Sequence, residues 1–409
     1  MKKNNKFAEL GLSKELCEGL KKRNHTEPTP IQRAAIPNLL LGRDFLGLAQ
    51  TGTGKTGAFI LPILNLLANL PNYVKKNKPR ALVLVPTREL AIQIGDEITA
   101  YKSRLKIRHA VIFGGVNQSN QVSALCRGID IIVATPGRLL DLRAQGHVRL
   151  SEVQFFVLDE ADRMLDMGFI IDINKIIKAL PKKRQSLLFS ATMPKQISAL
   201  AIDLLCNPVK EEIKPQFQAI SKVDQSLYYT SNLKKRGLLL KILLKLKLKK
   251  VIIFAKMKHR TNRLAEYLCK NGIKADSING NKSQSARQRA LKRFRIGEVV
   301  VLVATDIASR GIDIDNVTHV INYDMPNDPE SYIHRIGRTA RAGASGTVIS
   351  LCVESEIGMF RSIQKLVDAP IRIVEKAQNG ISRHNEYKKK KKPATIQNST
   401  ERKSKCSRR

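Results

Sequence analysis

The stretch "AQTGTGKT" (residues 49–56) continues the apolar run "FLGL" and leads into "GAFILPILNLL". Gly52 and Gly54 allow the tight turn that points backbone N–H groups at phosphate oxygens, next to the N-terminus of a following helix. Lys55 is spaced to reach the β and γ phosphates, and the Thr56 hydroxyl to ligate Mg²⁺. Because the stretch stands between a strand pattern and a helix pattern, it predicts a nucleoside triphosphate site.

Short apolar runs alternate with helical patterns twice along the chain. This alternation is typical of parallel sheets covered by helices on both faces, and 409 residues exceed the usual size of one hydrophobic core. We therefore predict an α/β fold with two tandem domains, each a parallel sheet flanked by helices. The predicted bounds are 1–207 for the first domain, 208–222 for a linker, 223–375 for the second domain and 376–409 for a tail.

Two acidic residues follow the apolar run "FFVL" within "FFVLDEADRML". Asp159 is placed to hold Mg²⁺ through water at the end of a strand. Glu160 is suited to orient or deprotonate the attacking water, on the argument that only the metal offers it a positive partner.

The first half lacks a cation for the charge that develops during phosphoryl transfer. The second half contains "YIHRIGRTARAG", in which Arg335, Arg338 and Arg341 recur every three residues and so are predicted to line one side of a helix. If these arginines reach the phosphates, the active site is complete only when the two domains close. The alternative is a solvated basic face.

The formal net charge is +37, from 72 basic and 35 acidic side chains. Such an excess indicates a polyanionic partner, with nucleic acid favoured over an anionic membrane surface. The tail, residues 376–409, has no apolar run and carries twelve basic against two acidic side chains. We expect it to be disordered and to act either as a non-specific RNA tether or as a solubilising tail.

Neither a membrane span nor a disulfide framework is predicted. The six cysteines occur singly, which fits a reducing cytosol and argues against a zinc site. The N-terminus lacks the apolar core of a signal peptide. The apolar stretch from Leu238 is interrupted by lysines, and Leu239, Ile242, Leu243 and Leu246 share one helical face, so we expect a helix packed on a sheet.

Eight ordered motifs resemble those of the DEAD-box ATP-dependent RNA helicases of superfamily 2. They are "EPTPIQ", "AQTGTGKT", "PTREL", "TPGR", "DEAD", "SAT", "ATDIASRGIDI" and "HRIGRTARAG". The resemblance covers about Phe7 to Val374 and is greatest to the bacterial RhlE-type branch, through "RMLDMGF", "NRLAEYL" and "GNKSQSARQRAL". It implies that both domains are RecA-like.

The resemblance assigns roles to individual residues. In the family, the residue matching Gln32 reads adenine and an upstream aromatic residue matches Phe7. The ATP-binding set implied here is Phe7, His25, Gln32, Thr51, Gly52, Thr53, Gly54, Lys55, Thr56, Asp306, Gly311 and Asp313. The implied catalytic set is Lys55, Asp159, Glu160, His334, Arg338 and Arg341, with the last two as arginine fingers.

The same resemblance implies an RNA track of phosphate- and sugar-binding groups that read no bases. Its residues would be Pro86, Thr87, Arg88, Gly114, Gly115, Thr135, Pro136, Gly137 and Arg138 in the first domain, and Gln284, Arg287, Thr305 and Arg310 in the second. Ser190 and Thr192 would couple hydrolysis to unwinding through hydrogen bonds to the "DEAD" segment.

This sequence departs from the family at Asn24 and His25, where Gly and an aromatic residue are common, and at Asn279, where His is common. The first departure leaves adenine selectivity open, and the second leaves a local contact open.

The combined expectation is a cytoplasmic, monomeric, RNA-stimulated ATPase that uses ATP and Mg²⁺. It would bind single-stranded RNA or short duplexes without sequence preference, melt duplexes locally, and work with ribosome precursors or the RNA-degradation machinery. Two alternatives stay open: a DNA translocase or repair helicase, and a non-catalytic RNA clamp or chaperone.

Overall fold

The computed structural model describes residues 6–50, 52–70, 75–102, 105–213, 223–246, 249–306, 317–339, 346–367 and 370–375. Its first sheet consists of β1 (Phe45–Leu48), β2 (Ala81–Leu84), β3 (His109–Ile112), β4 (Ile131–Ala134), β5 (Phe155–Leu158), β6 (Gln185–Ser190) and β7 (Val209–Glu212). The helices around it are α1 (Lys14–Lys22), α2 (Pro30–Leu40), α3 (Lys55–Asn69), α4 (Arg88–Lys102), α5 (Ser119–Cys126), α6 (Pro136–Ala144), α7 (Ala161–Asp166), α8 (Ile170–Ile177) and α9 (Lys195–Leu204). We call this part the first lobe.

The second lobe has the same kind of construction. Its strands are β8 (Val223–Tyr229), β9 (Val251–Phe254), β10 (Ala275–Ile278), β11 (Val301–Ala304), β12 (His319–Asn322), β13 (Gly346–Cys352) and β14 (Arg372–Glu375). Its helices are α10 (Lys235–Lys245), α11 (Lys258–Lys270), α12 (Gln284–Arg295), α13 (Pro329–Ile336) and α14 (Ile357–Leu366).

Both sheets are seven-stranded and parallel. The first has the order β3-β4-β2-β5-β6-β1-β7 and the second β10-β11-β9-β12-β13-β8-β14, which is the same order counted from each lobe's first strand. The carboxyl ends of all strands in a parallel sheet meet at one edge, where ligands bind in such folds. The two lobes therefore offer equivalent edges for functional loops.

Each sheet is covered by apolar side chains on both faces, as its near-continuous apolar strands require. Neighbouring residues of a strand enter different cores: Leu82 and Val83 of β2 do so in the first lobe, and Ile252 and Ile253 of β9 do so in the second. The predicted fold class is confirmed.

Two expectations about individual segments can be compared with the structure. Val209–Glu212 lies in the predicted linker but forms β7, which pairs with β1, so the linker prediction is wrong for these four residues. Leu239, Ile242 and Leu243 are buried on α10 as predicted for a helix packed on a sheet, whereas Leu246 follows the end of the helix in an extended conformation. Within the described ranges, every helix is too short or too polar to cross a membrane.

Candidate active site

The phosphate loop joins the carboxyl end of β1 to α3. Gly54 caps α3 in the left-handed conformation at φ +91°, and Lys55 is the first helical residue. A Cβ added at Gly54 would lie 2.8 Å from both Gln32 Nε2 and Thr29 Oγ1. Glycine is thus required there both by the backbone and by the close approach of residues 29–32.

Gln32 connects this loop to the start of α2. Its Nε2 donates a hydrogen bond to the Gly54 carbonyl at 3.0 Å, and its Oε1 accepts one from the Thr29 N–H at 3.0 Å. The side chain is buried. Gln32 therefore contacts the phosphate loop, while its role in reading adenine stays a prediction.

Asp159 follows β5 and faces Lys55. The Lys55 Nζ lies 3.7 Å from Asp159 Oδ1, and both side chains are buried. Burial raises the pKa of Asp159 to about 6, against the opposing effect of the Lys55 charge. The edge of the sheet thus brings together Lys55, which was predicted to bind the phosphates, and Asp159, which was predicted to hold the metal ion.

Glu160 has a local partner that the sequence argument excluded. Its Oε2 accepts a hydrogen bond from Arg163 Nη1 at 2.7 Å, and both side chains are buried. A metal ion is therefore not the only positive partner of this carboxylate, contrary to the prediction, because one turn of α7 places Arg163 beside it. Glu160 also holds a left-handed backbone at φ +55°, which is strained for a residue with a Cβ.

These groups line a cavity of about 280 Å³. Phe7, His25, Gln32, Gly52, Gly54, Lys55, Thr56, Asp159 and Glu160 line it from the first lobe, and Arg338 lines it from the second. Sequence reasoning missed a further wall, formed by Leu90, Gln93, Glu97 and Tyr101. Their spacing of three and four residues along α4 was the available signal, but such spacing equally describes a core face.

Arg335 and Arg338 of "HRIGRTARAG" do not share one helical side, contrary to the prediction. α13 ends at Ile336, and Arg338 lies in the turn beyond it, where it lines the cavity. Arg335 is buried in the second lobe, where its Nε and Nη2 each bind an Asp306 carboxylate oxygen at 2.7 Å. Its Nη1 donates to Asn322 Oδ1 and to the Asp324 carbonyl. Arg335 is therefore a structural residue of the second lobe.

His334 lies near Glu160 but does not line the larger cavity. It lines a small pocket of about 20 Å³ together with Glu160, Asp162, Arg163 and Ala191. This arrangement brings α13 of the second lobe against α7 and the end of β6.

Asp162 joins the "DEAD" and "SAT" segments. Its Oδ2 accepts hydrogen bonds from the Ala191 N–H and from the Thr192 N–H and hydroxyl at 2.9–3.1 Å. The Ser190 hydroxyl accepts from the Asp162 N–H at 3.2 Å. The hydrogen bonds predicted between the two segments are present, and their role in coupling stays a prediction.

The first-lobe residues assigned to RNA meet at the carboxyl ends of three adjacent strands, β2, β3 and β4. The Arg88 guanidinium lies against Gly115, where an added Cβ would be 2.1 Å from it, and Gly115 has φ +77°. Arg138 directs both Nη atoms at the Val116 carbonyl at 3.3–3.4 Å. "PTR", "GG" and "TPGR" thus form one surface with two guanidinium groups.

The second-lobe residues assigned to RNA approach the same surface. Glu89 Oε1 accepts a hydrogen bond from Gln284 Nε2 at 2.9 Å and forms an ion pair with Arg287 Nη2 at 3.1 Å. The pKa of Arg88 is lowered mainly by burial; Glu89 opposes this shift, and the charges of Arg287 and Arg138 add to it. Three arginines from the two lobes therefore lie close together.

Comparison with known proteins agrees with this geometry. A model described as "DEAD/DEAH box helicase" matches residues 29–200, and one described as "Helicase conserved C-terminal domain" matches 234–343. The chain is 42% identical over 359 residues to a DEAD-box ATP-dependent RNA helicase CshA of Geobacillus kaustophilus, covering 88% of this chain and 76% of that one. The chain belongs to the DEAD-box ATP-dependent RNA helicases.

Two other relatives extend the comparison. An ATP-dependent RNA helicase RhlB of Actinobacillus succinogenes is 42% identical over 365 residues, covering 88% of each chain. The solved structure of S. cerevisiae Dbp5 bound to RNA and ADP BeF3 has a TM-score of 0.79 and 32% identity, covering 91% of this chain and 96% of that one.

Two departures of this helicase from its family have a structural explanation. Asn24 has φ +58°, a conformation that glycine adopts freely and asparagine tolerates best among other residues. The His25 ring lies 6.3 Å from the Tyr101 ring, and burial and the Arg23 charge lower the pKa of His25. Asn279 is fully buried and donates to Thr261 Oγ1 and Asn262 Oδ1, so it holds α11 in place.

Several predicted site residues lie outside the described residues: Thr51, Arg310, Gly311, Asp313 and Arg341. The tail, 376–409, does so as well.

Replacing Arg163 in this helicase is expected to slow hydrolysis. Arg163→Ala leaves the Glu160 carboxylate buried without its cation, which should destabilise the first lobe by about 3 kcal/mol and misplace the carboxylate. The rate of ATP turnover and the unfolding temperature should both fall for Arg163→Ala and recover partly in Arg163→Lys. An equal loss in Lys183→Ala, which removes an exposed charge on the same lobe, would contradict this assignment.

Replacing Glu89 is expected to weaken docking of the lobes. Glu89→Ala removes the acceptor shared by Gln284 and Arg287, and truncating one partner of a buried charge pair costs about 2–5 kcal/mol. RNA-stimulated ATPase activity should fall about tenfold or more, with the ATP affinity of the first lobe retained. Wild-type stimulation in Glu89→Ala would refute the prediction, and Glu89→Gln should be intermediate.

Proposed function

We propose that this helicase closes its two lobes on ATP and single-stranded RNA and that closure bends the strand so that a short duplex melts locally. The observation that carries the proposal is the shared lining of one cavity by Lys55, Asp159 and Glu160 of the first lobe and Arg338 of the second. Hydrolysis then depends on lobe geometry, and phosphate release reopens the lobes.

The residues at the cavity fit Mg²⁺. Thr56 offers a hydroxyl and Asp159 a buried carboxylate, the oxygen donors that this hard cation takes alongside nucleotide phosphates and water. We propose that Thr56 holds the ion directly and Asp159 through water. When bound, Mg²⁺ would neutralise charge on the β and γ phosphates.

The remaining roles belong to this chain's own side chains. Glu160 would take the proton of the attacking water, Lys55 would bind the β and γ phosphates, and Arg338 would stabilise charge on the transferred group. Arg88 and Arg138, with Arg287 from the other lobe, would bind the RNA backbone. Contacts to 2′-hydroxyl groups would favour RNA over DNA.

Phosphate release in the presence of matched oligomers tests the proposal. ATP hydrolysis should be stimulated by single-stranded RNA and not by DNA of the same sequence. Equal stimulation by DNA would favour the DNA translocase, and no turnover with either would favour the non-catalytic clamp.

The proposal also covers the family branch, the domain bounds and the cellular role of this helicase. We propose the RhlE-type branch from "RMLDMGF" and "GNKSQSARQRAL"; the relatives compared above carry the names CshA and RhlB. We also propose a cytoplasmic monomer acting on ribosome precursors or in RNA turnover, with the domain bounds given above apart from β7. Crosslinking and sequencing of RNA bound in cells would identify the substrate.

The basic tail is proposed to tether RNA. Truncation after Glu375 should weaken RNA affinity and flatten its salt dependence, whereas an unchanged salt dependence would favour a solubilising role.

A further inference from the structure

The second lobe has a cavity of about 320 Å³ at the place where the first lobe holds its nucleotide site. Leu233, in the turn between β8 and α10, lines it, and β8 occupies the same sheet position as β1. Lys235 begins α10 as Lys55 begins α3. We call this cavity, lined by Leu233, Arg236, Arg260, Arg263 and Tyr323, the arginine pocket.

The lysine of this second-lobe site is not free for phosphate. The buried Lys235 Nζ lies 3.0 Å from Asp324 Oδ1 and 3.3 Å from Glu356 Oε2. Asp324 follows β12, the counterpart of β5, so the pair repeats Lys55 and Asp159 in position. The second carboxylate, Glu356, completes the neutralisation of Lys235, and the arginine pocket therefore is not a second ATP site of the first-lobe kind.

The arginines of the pocket are instead exposed and poorly neutralised. Arg260 lies 3.4 Å from Asp324 Oδ1, a carboxylate that already binds Lys235. Arg236 stacks on the Tyr267 ring at 5.0 Å. Arg263 has no acidic partner in the part of the chain that the structure describes. Three guanidinium groups around one cavity repel each other unless an anion lies between them.

The pocket also has surfaces suited to a base. Leu233 is 95% exposed, and the Tyr323 ring forms part of the lining. Arginine and aromatic side chains together are the usual means of holding single-stranded RNA, because the cations bind phosphates and the rings stack on bases. A volume near 320 Å³ is at the small end for ligand sites and suits a single nucleotide.

The pocket continues the proposed RNA track. Asn279 Nδ2 donates to the Lys258 carbonyl at 3.3 Å, and the Lys258 side chain lies against Gly280, just before Gln284 begins α12. Lys258 also begins α11, which carries Arg260 and Arg263. A basic surface thus runs along the same sheet edge from Gln284 to the arginine pocket.

We propose that the arginine pocket holds a nucleotide of the same RNA strand outside the track between the lobes. Its phosphate lies among Arg236, Arg260 and Arg263, and its base lies on Tyr323 and Leu233. The inference rests on the proposed function, since it requires RNA on the track. In this arrangement the second lobe binds the part of the RNA strand next to the segment held between the lobes.

Binding of oligo(U) of about 6 and about 20 nucleotides to the full chain, with a non-hydrolysable ATP analogue, tests the inference. The double variant Arg236→Gln/Arg263→Gln should bind the long RNA about tenfold more weakly and show a salt slope shallower by about 0.7, the value for one lost phosphate contact on a single strand. Its affinity for the short RNA should equal that of the wild type, which also verifies folding.

The matched control is Arg361→Gln/Lys365→Gln, which removes two exposed charges from α14 of the same lobe, outside the pocket. Equal loss in both double variants would overturn the inference, because general charge would then explain it. Unchanged binding of the long RNA by the pocket variant would also overturn the inference. So would the finding that Arg263 is needed to bind a poly-glutamate peptide but not to bind the long RNA. Failure of RNA to stimulate the wild-type ATPase would instead reject the proposed function.

Discussion

Glu160→Gln is expected to abolish ATP turnover while ATP and RNA binding are retained. The amide keeps the shape of the carboxylate and can still accept a hydrogen bond from Arg163, but it cannot take a proton from water. Loss of a general base reduces rates by about 10²–10⁴. RNA should remain bound for longer in the presence of ATP, because the closed lobes can no longer reopen through hydrolysis.

The measurements for Glu160→Gln are phosphate release and RNA dissociation with ATP. Asp172→Asn is a suitable control, since Asp172 is an acidic residue of the same lobe on α8 outside the cavity. RNA-stimulated hydrolysis at the wild-type rate in Glu160→Gln would remove this residue from the catalytic set.

Arg338→Ala is expected to cut hydrolysis by about 10³ or more, the range found for arginine fingers. The residue is 4% exposed and lines the cavity from the second lobe. The phosphate loop and residues 29–32 belong to the first lobe, so nucleotide affinity in that lobe should stay nearly intact. Near-normal hydrolysis would contradict the assignment.

Arg335→Ala provides the contrast, since it lies three residues away and has a different environment. Its guanidinium binds Asp306, Asn322 and Asp324 inside the second lobe. We expect its removal to lower the unfolding temperature of the second lobe, because the half-buried Asp306 carboxylate and the buried Asn322 amide lose their partner. Arg338→Ala should reduce hydrolysis far more than it lowers that temperature. The reverse pattern would show that the two roles have been exchanged.

Residues close in sequence could be interpreted without a structure. The turn at Gly54, the position of Lys55 at the start of α3 and the acidic pair after β5 follow from local patterns, because each lies at the end of one strand. The prediction of a linker at Val209–Glu212 failed because this segment is short and polar and becomes a strand only by pairing with β1 at the sheet edge.

The errors at Glu160 and Arg335 have a common cause. A sequence pattern indicates which charges exist, but the partner of each depends on side-chain directions in the folded chain. Arg163 is one helical turn from Glu160, and Arg335 points inward because α13 packs on its own lobe. Equally spaced arginines therefore have different surroundings on either side of the helix end.

The family of this protein could be predicted from its sequence alone, from a phosphate loop, an acidic pair, ordered helicase motifs and a strong positive charge. Chemistry of this kind depends on residue types at short spacings. The tertiary structure decided which groups meet: Arg338 with Glu160 at one cavity, Glu89 with Gln284 and Arg287 across the lobes, and three arginines around a second-lobe pocket. The first two contacts depend on the packing of one lobe against the other, and the third depends on the fold of the second lobe, so none follows from short sequence spacings alone.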